Sequence, residues 1–250
     1  MRARHAPTHR AGFLQATGVL LVVRDPPAAA PPSPGQPPMV PGLAAEGVEI
    51  LIAVWEDGSA NGLSGKVDMG TGVATALAQL VAEELELPLD RVVMLLGDTT
   101  RAPNQGPTIA SATLQIASDP LRRAAAQARR WLHEQAGGHT AALAGRCVQL
   151  TLDLATPLKA ARDWQVAGQA APRVDIPAKA LGEAVFVHDA RVPGMLHGRV
   201  VRPPYAGADH GDFIGRTLRS VDESSVSHIP GVVAVVREGD FVGVVAEREE

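Results

Sequence analysis

The sequence predicts an α+β fold, a mixed-sheet unit with two helices followed by a second, strand-rich unit. Three observations carry this. Apolar runs of strand length alternate with stretches of helical period, and Gly, Pro, Asn and Asp clusters separate them. Of the 250 residues 46% are hydrophobic but only 3% aromatic, so Ala, Val and Leu fill the interior and backbones pack closely.

Residues 1–45 read as a leader and a linker. "MRARHAPTHR" is basic, "FLQATGVLLVV" (Phe13–Val23) is apolar, and "PPAAAPPSPGQPPMVPG" follows. The apolar run is far shorter than the roughly 20 residues of a membrane helix, so no membrane span is expected. The order basic, apolar, small fits an export leader better. "RAGFLQATG" also looks like a twin-arginine leader in which the second arginine has become Ala11. The expected compartment is the cytoplasm, or the periplasm if the leader works. The Pro-rich piece is a stiff, extended linker.

Residues 46–136 form the first unit. In "VEILIAVWEDGSANGLSGKVD" an apolar run meets Asp57-Gly58 and Asn61-Gly62, so a hairpin is expected. "VATALAQLVAEELEL" puts Val73, Leu77, Leu80 and Val81 on one face of a helix closed off by Pro88. "DRVVMLLGD" reads as a buried strand. Asp119-Pro120 reads as a cap and first turn, with Leu121, Ala125, Ala128 and Leu132 on one face of the helix behind it. Residues 137–172 are a linker with one strand in "RCVQLTLDL". From 173 to 250, "GEAVFVHDARVPGMLHGRVVRPP" alternates like strands around "RVPG", and "VSHIPGVVAVVREGDFVGVVAERE" holds two more.

Charge and cysteine content exclude several functions. A net charge of -4 offers no basic surface for nucleic acid. Arg122, Arg123, Arg129 and Arg130 fall on a helix and read as a solvated face. Cys147 is the only cysteine, so the chain builds neither an internal disulfide nor a Cys-ligated zinc or iron–sulfur centre. His5 and His9 stand four apart in a segment with no expected order, which makes no metal site.

Two segments stand out as binding candidates. Gly70-Thr71-Gly72 lies between strand and helix, where glycines allow close approach and a helix N-terminus offers N–H groups to phosphate. A plain tight turn is the competing reading. The stretch from Gly97 to Pro120 is long, small and hydroxylated, and such loops are more often functional or disordered than idle. Its "TIASAT" (Thr108–Thr113) offers backbone N–H groups with little bulk and several hydroxyls. Known phosphate motifs fail. A P-loop ending at Gly65-Lys66 needs Gly at 60 and Ser or Thr at 67, where Ala60 and Val67 stand; a dinucleotide fingerprint from Gly70 meets Thr75. Among catalytic constellations there is no nucleophile elbow, no HExxH and no carboxylate pair, Glu83, Glu84 and Glu86 reading as a solvated helix end. No catalytic or metal-ligating residue is therefore assigned.

Taken together, "GLSGKVDMGTGVATALAQLVAEELELPLDRVVMLLGDTTRAPNQGPTIASATLQ" resembles the molybdenum-cofactor subunit of the xanthine dehydrogenase and aldehyde oxidase family, in its bacterial nicotinate and isoquinoline branch. "APRVDIPAKALGEAVFVHDARVPGMLHGRVVRPP" resembles the same subunit's α/β hammerhead domain, here incomplete and truncated at 250. The resemblance implies a molybdenum–molybdopterin cofactor, in the dinucleotide form, that hydroxylates an N-heterocyclic or aldehyde carbon with oxygen from water. Iron–sulfur clusters on a partner chain would take the electrons. It also implies that Gly70, Thr71, Gly72, Thr108, Ala110, Ser111, Ala112 and Thr113 bind the cofactor. The family's usual Gly-Gln-Gly is Gly-Thr-Gly here, and threonine lacks the amide's paired donor and acceptor. Family members carry their catalytic glutamate in a longer C-terminal part, so this chain is expected to be non-catalytic alone, either a truncated product or a piece completed by another chain. Asp209–Thr217 reads as an insertion. The alternatives are a non-catalytic assembly or interaction module of the same fold and, behind it, a nucleotide-binding domain.

Overall fold

The computed structural model describes residues 6–26, 47–202 and 218–249. The Pro-rich linker and the Asp209–Thr217 insertion lie outside the described residues. The chain divides into two compact units, Met1–Glu183 and Ala184–Glu250, so the boundary falls after the 173 expected from the sequence. The α+β expectation holds.

The first unit is built on a five-stranded mixed sheet. In chain order its elements are α1 (Arg10–Gln15), β1 (Val19–Arg24), β2 (Glu49–Trp55), β3 (Ala60–Ser64), α2 (Val73–Leu85), β4 (Val92–Leu96), α3 (Thr113–Ala136), β5 (Cys147–Thr151) and the short α4 (Ile176–Ala180). The strand order is β4-β3-β2-β1-β5, with β1–β2 and β2–β3 antiparallel and the two outer pairs parallel. Helices α2 and α3 pack on one face through Leu77, Val81, Leu121, Ala125 and Ala128 against Leu20, Val22 and Leu51. The other face buries Phe13 of α1 with Leu21, Ile50 and Trp55. Side-chain alternation along β1 divides Leu20 and Val22 from Val19, Leu21 and Val23, so one strand serves both cores.

This corrects the leader reading of Phe13–Val23. That run is apolar because β1 lies inside the sheet, paired with β2 and β5 and buried on both faces. A strand of this kind and the core of a leader share one composition.

Other expectations divide in the same way. The hairpin forms at Asp57-Gly58, but Asn61 and Gly62 sit within β3, where the Asn61 amide oxygen accepts from Trp55 Nε1 at 2.8 Å. Strand β4 is an edge strand with only Val92 buried, where a buried strand was expected. Helix α3 begins at Thr113, and Pro120 lies inside it rather than at its first turn. Pro120 brings no N–H to the Ile116 carbonyl, and the helix tolerates this because Ala117 and Leu121 beside it are buried.

Glu83 and Glu84 are buried, not solvated. Glu83 Oε2 accepts the N–H groups of Gln165, Val166 and Ala167 at 2.8, 2.6 and 3.1 Å, and Lys159 Nζ lies 3.2 Å from Oε1. Burial pushes the Glu83 carboxyl up, but these N–H groups and Lys159 outweigh it and hold it below the usual range. Glu84 Oε1 accepts Arg122 Nε and Nη2 at 3.0 and 2.6 Å. Arg122 is thus drawn out of the expected solvated arginine face, as is Arg129, which pairs with Glu86 at 2.8 Å.

The second unit holds β6 (His197–Val201), the short α5 (Ser224–Ser227), β7 (Val232–Glu238) and β8 (Phe241–Ala246), in the antiparallel order β6-β8-β7. The hairpin β7–β8 matches its expectation. The stretch before "RVPG" does not, since Val187–Asp189 is a 3₁₀ turn and no strand forms there. Among the described residues of both units, no helix is long and apolar enough to cross a membrane.

Candidate functional site

The cleft of interest belongs to the first unit, where the β3-to-α2 turn meets the β4-to-α3 loop. Four anchors fix the loop. Glu49, wholly buried and paired with Arg24 at 2.8 Å, accepts the Asn104 N–H at 2.6 Å. The Gln105 side-chain oxygen accepts from Ser64 Oγ at 2.6 Å and Gly65 N at 2.9 Å. Lys66 Nζ donates to the carbonyls of Gln105, Gly106 and Pro107 at 2.6, 3.4 and 2.9 Å, and burial pushes its ammonium below the usual value. Val67 N donates to Thr108 Oγ1 at 3.0 Å. The approach is close enough that a Cβ on Gly65 would stand 2.1 Å from the Pro103 carbonyl oxygen, which makes glycine necessary there. Lys66, considered and rejected as a P-loop lysine, serves instead to gather loop carbonyls.

The glycine turn is held by Asp68. Its Oδ1 accepts Gly70 N at 3.0 Å, Gly72 N at 3.1 Å and Thr71 Oγ1 at 3.3 Å, and its Oδ2 accepts Ala74 N at 3.0 Å. Burial raises the Asp68 carboxyl, but the Ala74, Gly72 and Gly70 N–H groups overcome this and hold it below the usual range, while the charge of Asp175 opposes them. Gly70 and Gly72 have φ of 93° and 77°, angles that glycine adopts without a Cβ clash. The N-terminus of α2, read from sequence as free to receive phosphate, is therefore already filled by the chain's own carboxylate.

The two segments meet. Thr71, Gly72, Thr108, Ala110, Ser111 and Thr113 line one cavity of about 340 Å³. Gly70 and Ala112, also expected at the site, stand next to lining residues without lining the cavity themselves. Val67, Met69, Val73, Ala76, Ile109 and Leu114 complete the wall, and Met69 and Ile109 are 67% and 66% exposed. Ala110 and Ser111 hold φ of 56° and 53°, consecutive left-handed residues of a kind that concentrates at ligand sites. Helix α3 starts here with no side-chain cap and no acidic residue in its first turn.

Nothing in the sequence warned of the Arg173–Asp175 contribution. Arg173 Nη1 donates to the Gly70 carbonyl at 2.9 Å, and its Nε and Nη2 donate to Asp175 at 3.0 and 2.6 Å. These residues are about a hundred positions away from the turn, with no spacing to reveal them. Asp68 had a local signal, a carboxylate just ahead of a Gly-x-Gly turn and helix.

The donor set bears on a molybdopterin guest in a specific way. The cavity offers the hydroxyls of Thr71, Thr108, Ser111 and Thr113 among apolar walls, which fits a polar-edged ring. It offers no Lys or Arg side chain in its lining, and Asp68 already takes the Gly72 and Ala74 amides at the start of α2. Among the described residues no group of three or more metal-ligating side chains gathers.

The fold and cleft define an α+β domain in which a hairpin-to-helix turn and a strand-to-helix loop share one cavity wall. Comparison with known proteins gives the family: a model described as "Molybdopterin cofactor-binding domain" matches residues 28–183. The chain belongs to that family, within the wider xanthine dehydrogenase and aldehyde oxidase group. It is similar to a nicotinate dehydrogenase subunit from Pseudomonas putida, 52% identical over 264 residues covering 95% of this chain and 22% of that protein. It is also similar to the beta subunit of isoquinoline 1-oxidoreductase from Brevundimonas diminuta, 27% identical over 82% of this chain and 34% of that one. A third relative is the membrane-bound aldehyde dehydrogenase (pyrroloquinoline-quinone) of Gluconacetobacter polyoxogenes, 26% identical over 78% of this chain and 28% of that one. The chain thus spans between 22% and 34% of these relatives' lengths.

Proposed function

We propose that this chain forms one wall of the cofactor site of a molybdenum hydroxylase. The observation that carries the reading is the meeting of the Gly70–Gly72 turn and the Thr108–Thr113 loop at one cavity, in a chain of the molybdopterin-binding family. When bound, the molybdenum–pterin group supplies oxidative hydroxylation of an N-heterocyclic or aldehyde carbon, with water as the oxygen source. The chain's own part is binding. Thr71, Thr108, Ser111 and Thr113 present hydroxyls to the ring edges, the strained Ala110-Ser111 backbone keeps bulk away, and Asp68 and Lys66 hold turn and loop rigid from behind. Preorganised contacts of this kind reduce the ordering cost of binding.

The cofactor would be the dinucleotide form, and the Gly72 and Ala74 amides, already taken by Asp68, would not be the groups that hold its anionic tail. Electrons would leave through iron–sulfur clusters on a partner chain. The cytoplasm is the favoured compartment, because the apolar run that would serve as an export leader is taken up as β1 of the sheet.

The test is to purify the chain with and without a partner expressed from adjacent DNA. Molybdenum content is then measured by mass spectrometry, pterin by fluorescence of its oxidised form, and turnover by dye-linked oxidation of N-heterocycles and aldehydes. Near-stoichiometric molybdenum and pterin in the partnered preparation is the expected result. Cofactor without turnover in that preparation favours the assembly-module alternative, for which the missing glutamine at Thr71 speaks. Metal-free protein in both preparations, or bound pyrroloquinoline quinone in place of molybdenum, overturns the reading.

A further inference from the structure

We infer that Arg173 is a positioning residue for the ligand site: it sets the Gly70–Thr71 peptide and so presents Thr71 to the cavity. The inference rests on the cofactor reading above and adds to it a residue outside both binding segments.

The turn is gripped from two sides. Asp68 takes the N–H groups of Gly70, Gly72 and Ala74. Arg173 takes the one carbonyl that matters for Thr71, that of Gly70, at 2.9 Å. A peptide unit is planar and trans, so its C=O and N–H point opposite ways. With the Gly70 carbonyl held toward Arg173, the Thr71 N–H points away from it. That N–H is not among the donors Asp68 takes, and it is left over for a ligand.

The guanidinium is itself immobilised. Asp175 receives it as a two-pronged fork at 3.0 and 2.6 Å, and Lys179 Nζ steadies Asp175 at 2.5 Å. Those two cations hold the Asp175 carboxyl well below the usual range, Arg173 first and Lys179 second. The segment is moored again one residue on, where Val174 N donates to Thr75 Oγ1 at 3.0 Å and Thr75 is buried. Across the turn, a Cβ placed on Gly72 would touch Arg173 Cδ and Nε at 3.4 Å, so the arginine stem lies along the turn. An arginine suits this place because one planar fork serves the carboxylate while a third donor reaches the carbonyl, which a lysine ammonium cannot reproduce.

Arg173 does not add a new anion site. Asp175 and the charge of Asp68 face it, and both raise its pKa, so its charge is offset locally and its role is geometric.

The experiment uses the full chain carrying Arg173→Ala, Arg173→Lys or Asp175→Asn, each with two readouts. Amide hydrogen exchange is followed over 68–76 with β2 as internal control, in protein freed of cofactor. Molybdenum and pterin retained after gel filtration are measured in the partnered preparation. Removing a charged hydrogen bond predicts about tenfold faster exchange at Gly70 and Gly72, the amides that Asp68 holds, in Arg173→Ala, with β2 unchanged and cofactor retention falling by a similar factor. Arg173→Lys and Asp175→Asn should fall between that variant and the parent. Unchanged exchange at Gly70 and Gly72 in Arg173→Ala overturns the inference whatever the cofactor does. Faster exchange with full retention overturns the ligand-positioning role. An unloaded parent preparation instead overturns the cofactor reading, and the exchange arm tells these failures apart.

Discussion

Asp68 shows how one carboxylate can occupy the start of a helix. By accepting the Gly70, Gly72 and Ala74 amides it acts as the side-chain cap that Gly72, the N-cap residue of α2, cannot provide. Replacing it with alanine leaves those donors without partners and costs about 1–2 kcal/mol, the range for lost helix caps. The pH dependence follows from the direction of its shift. Its folded-state pKa lies below the ordinary 3.8, so its stabilisation is complete above that value and is lost as pH falls through the lower folded value. Urea unfolding of the parent and Asp68→Ala at pH 7, 5 and 3 should show a constant gap at the two higher values and a narrower one at pH 3. A gap of the same size at all three would show that the carboxylate charge is not what holds the turn. Among the residues of the candidate site, the two segments that line the cavity were legible in the sequence because glycine, threonine and alanine in such density mark backbone access. Their supports were not legible. Lys66, Glu49 and Arg173 each act on backbone that is tens of residues away, and nothing in their local sequence announces a distant partner.

At the level of elements, the hairpin, α2 and the β7–β8 pair were readable because their apolar periods of 2 and 3.6 are undisturbed. Three elements escaped for physical reasons. Strand β1 sits between a basic stretch and a Pro-rich one, the flanks of a leader. Helix α3 carries an internal Asp-Pro that mimics a helix start. The acidic end of α2 looks solvated because Arg122, Lys159 and the 165–167 amides that neutralise it lie far along the chain. The β1 correction has a direct test in α1, which seats Phe13 with no exposed surface against Trp55, ring centroids 6.0 Å apart. Phe13→Ala should lower the unfolding free energy by about 3–5 kcal/mol, the range for a buried aromatic removed from a core. A detachable tail would give no change, and denaturant midpoints measured on the full chain distinguish the two.

Across the whole molecule, burial is distributed unequally between the two units. The first unit has a core on each face of its sheet. In the second, Val242 is the only buried hydrophobic side chain among the described residues, while Phe186, Val187, Val200, Val233, Val236 and Phe241 are exposed. A three-stranded sheet needs a covered apolar face for independent stability, and the described part of this unit has little such cover. Local opening in 184–250 therefore costs far less than opening of the first unit, and proteolysis samples the cheapest opening first. Limited digestion of the full chain with a protease of broad specificity should cut within 184–250 early and leave a resistant fragment ending near Glu183, identified by intact mass. The same exposed side chains predict self-association of the isolated chain, visible in light scattering, because apolar side chains exposed in this number seek cover. Early cuts inside β1–β3 or α2, with 184–250 intact, would show that the second unit carries a stabilising core after all.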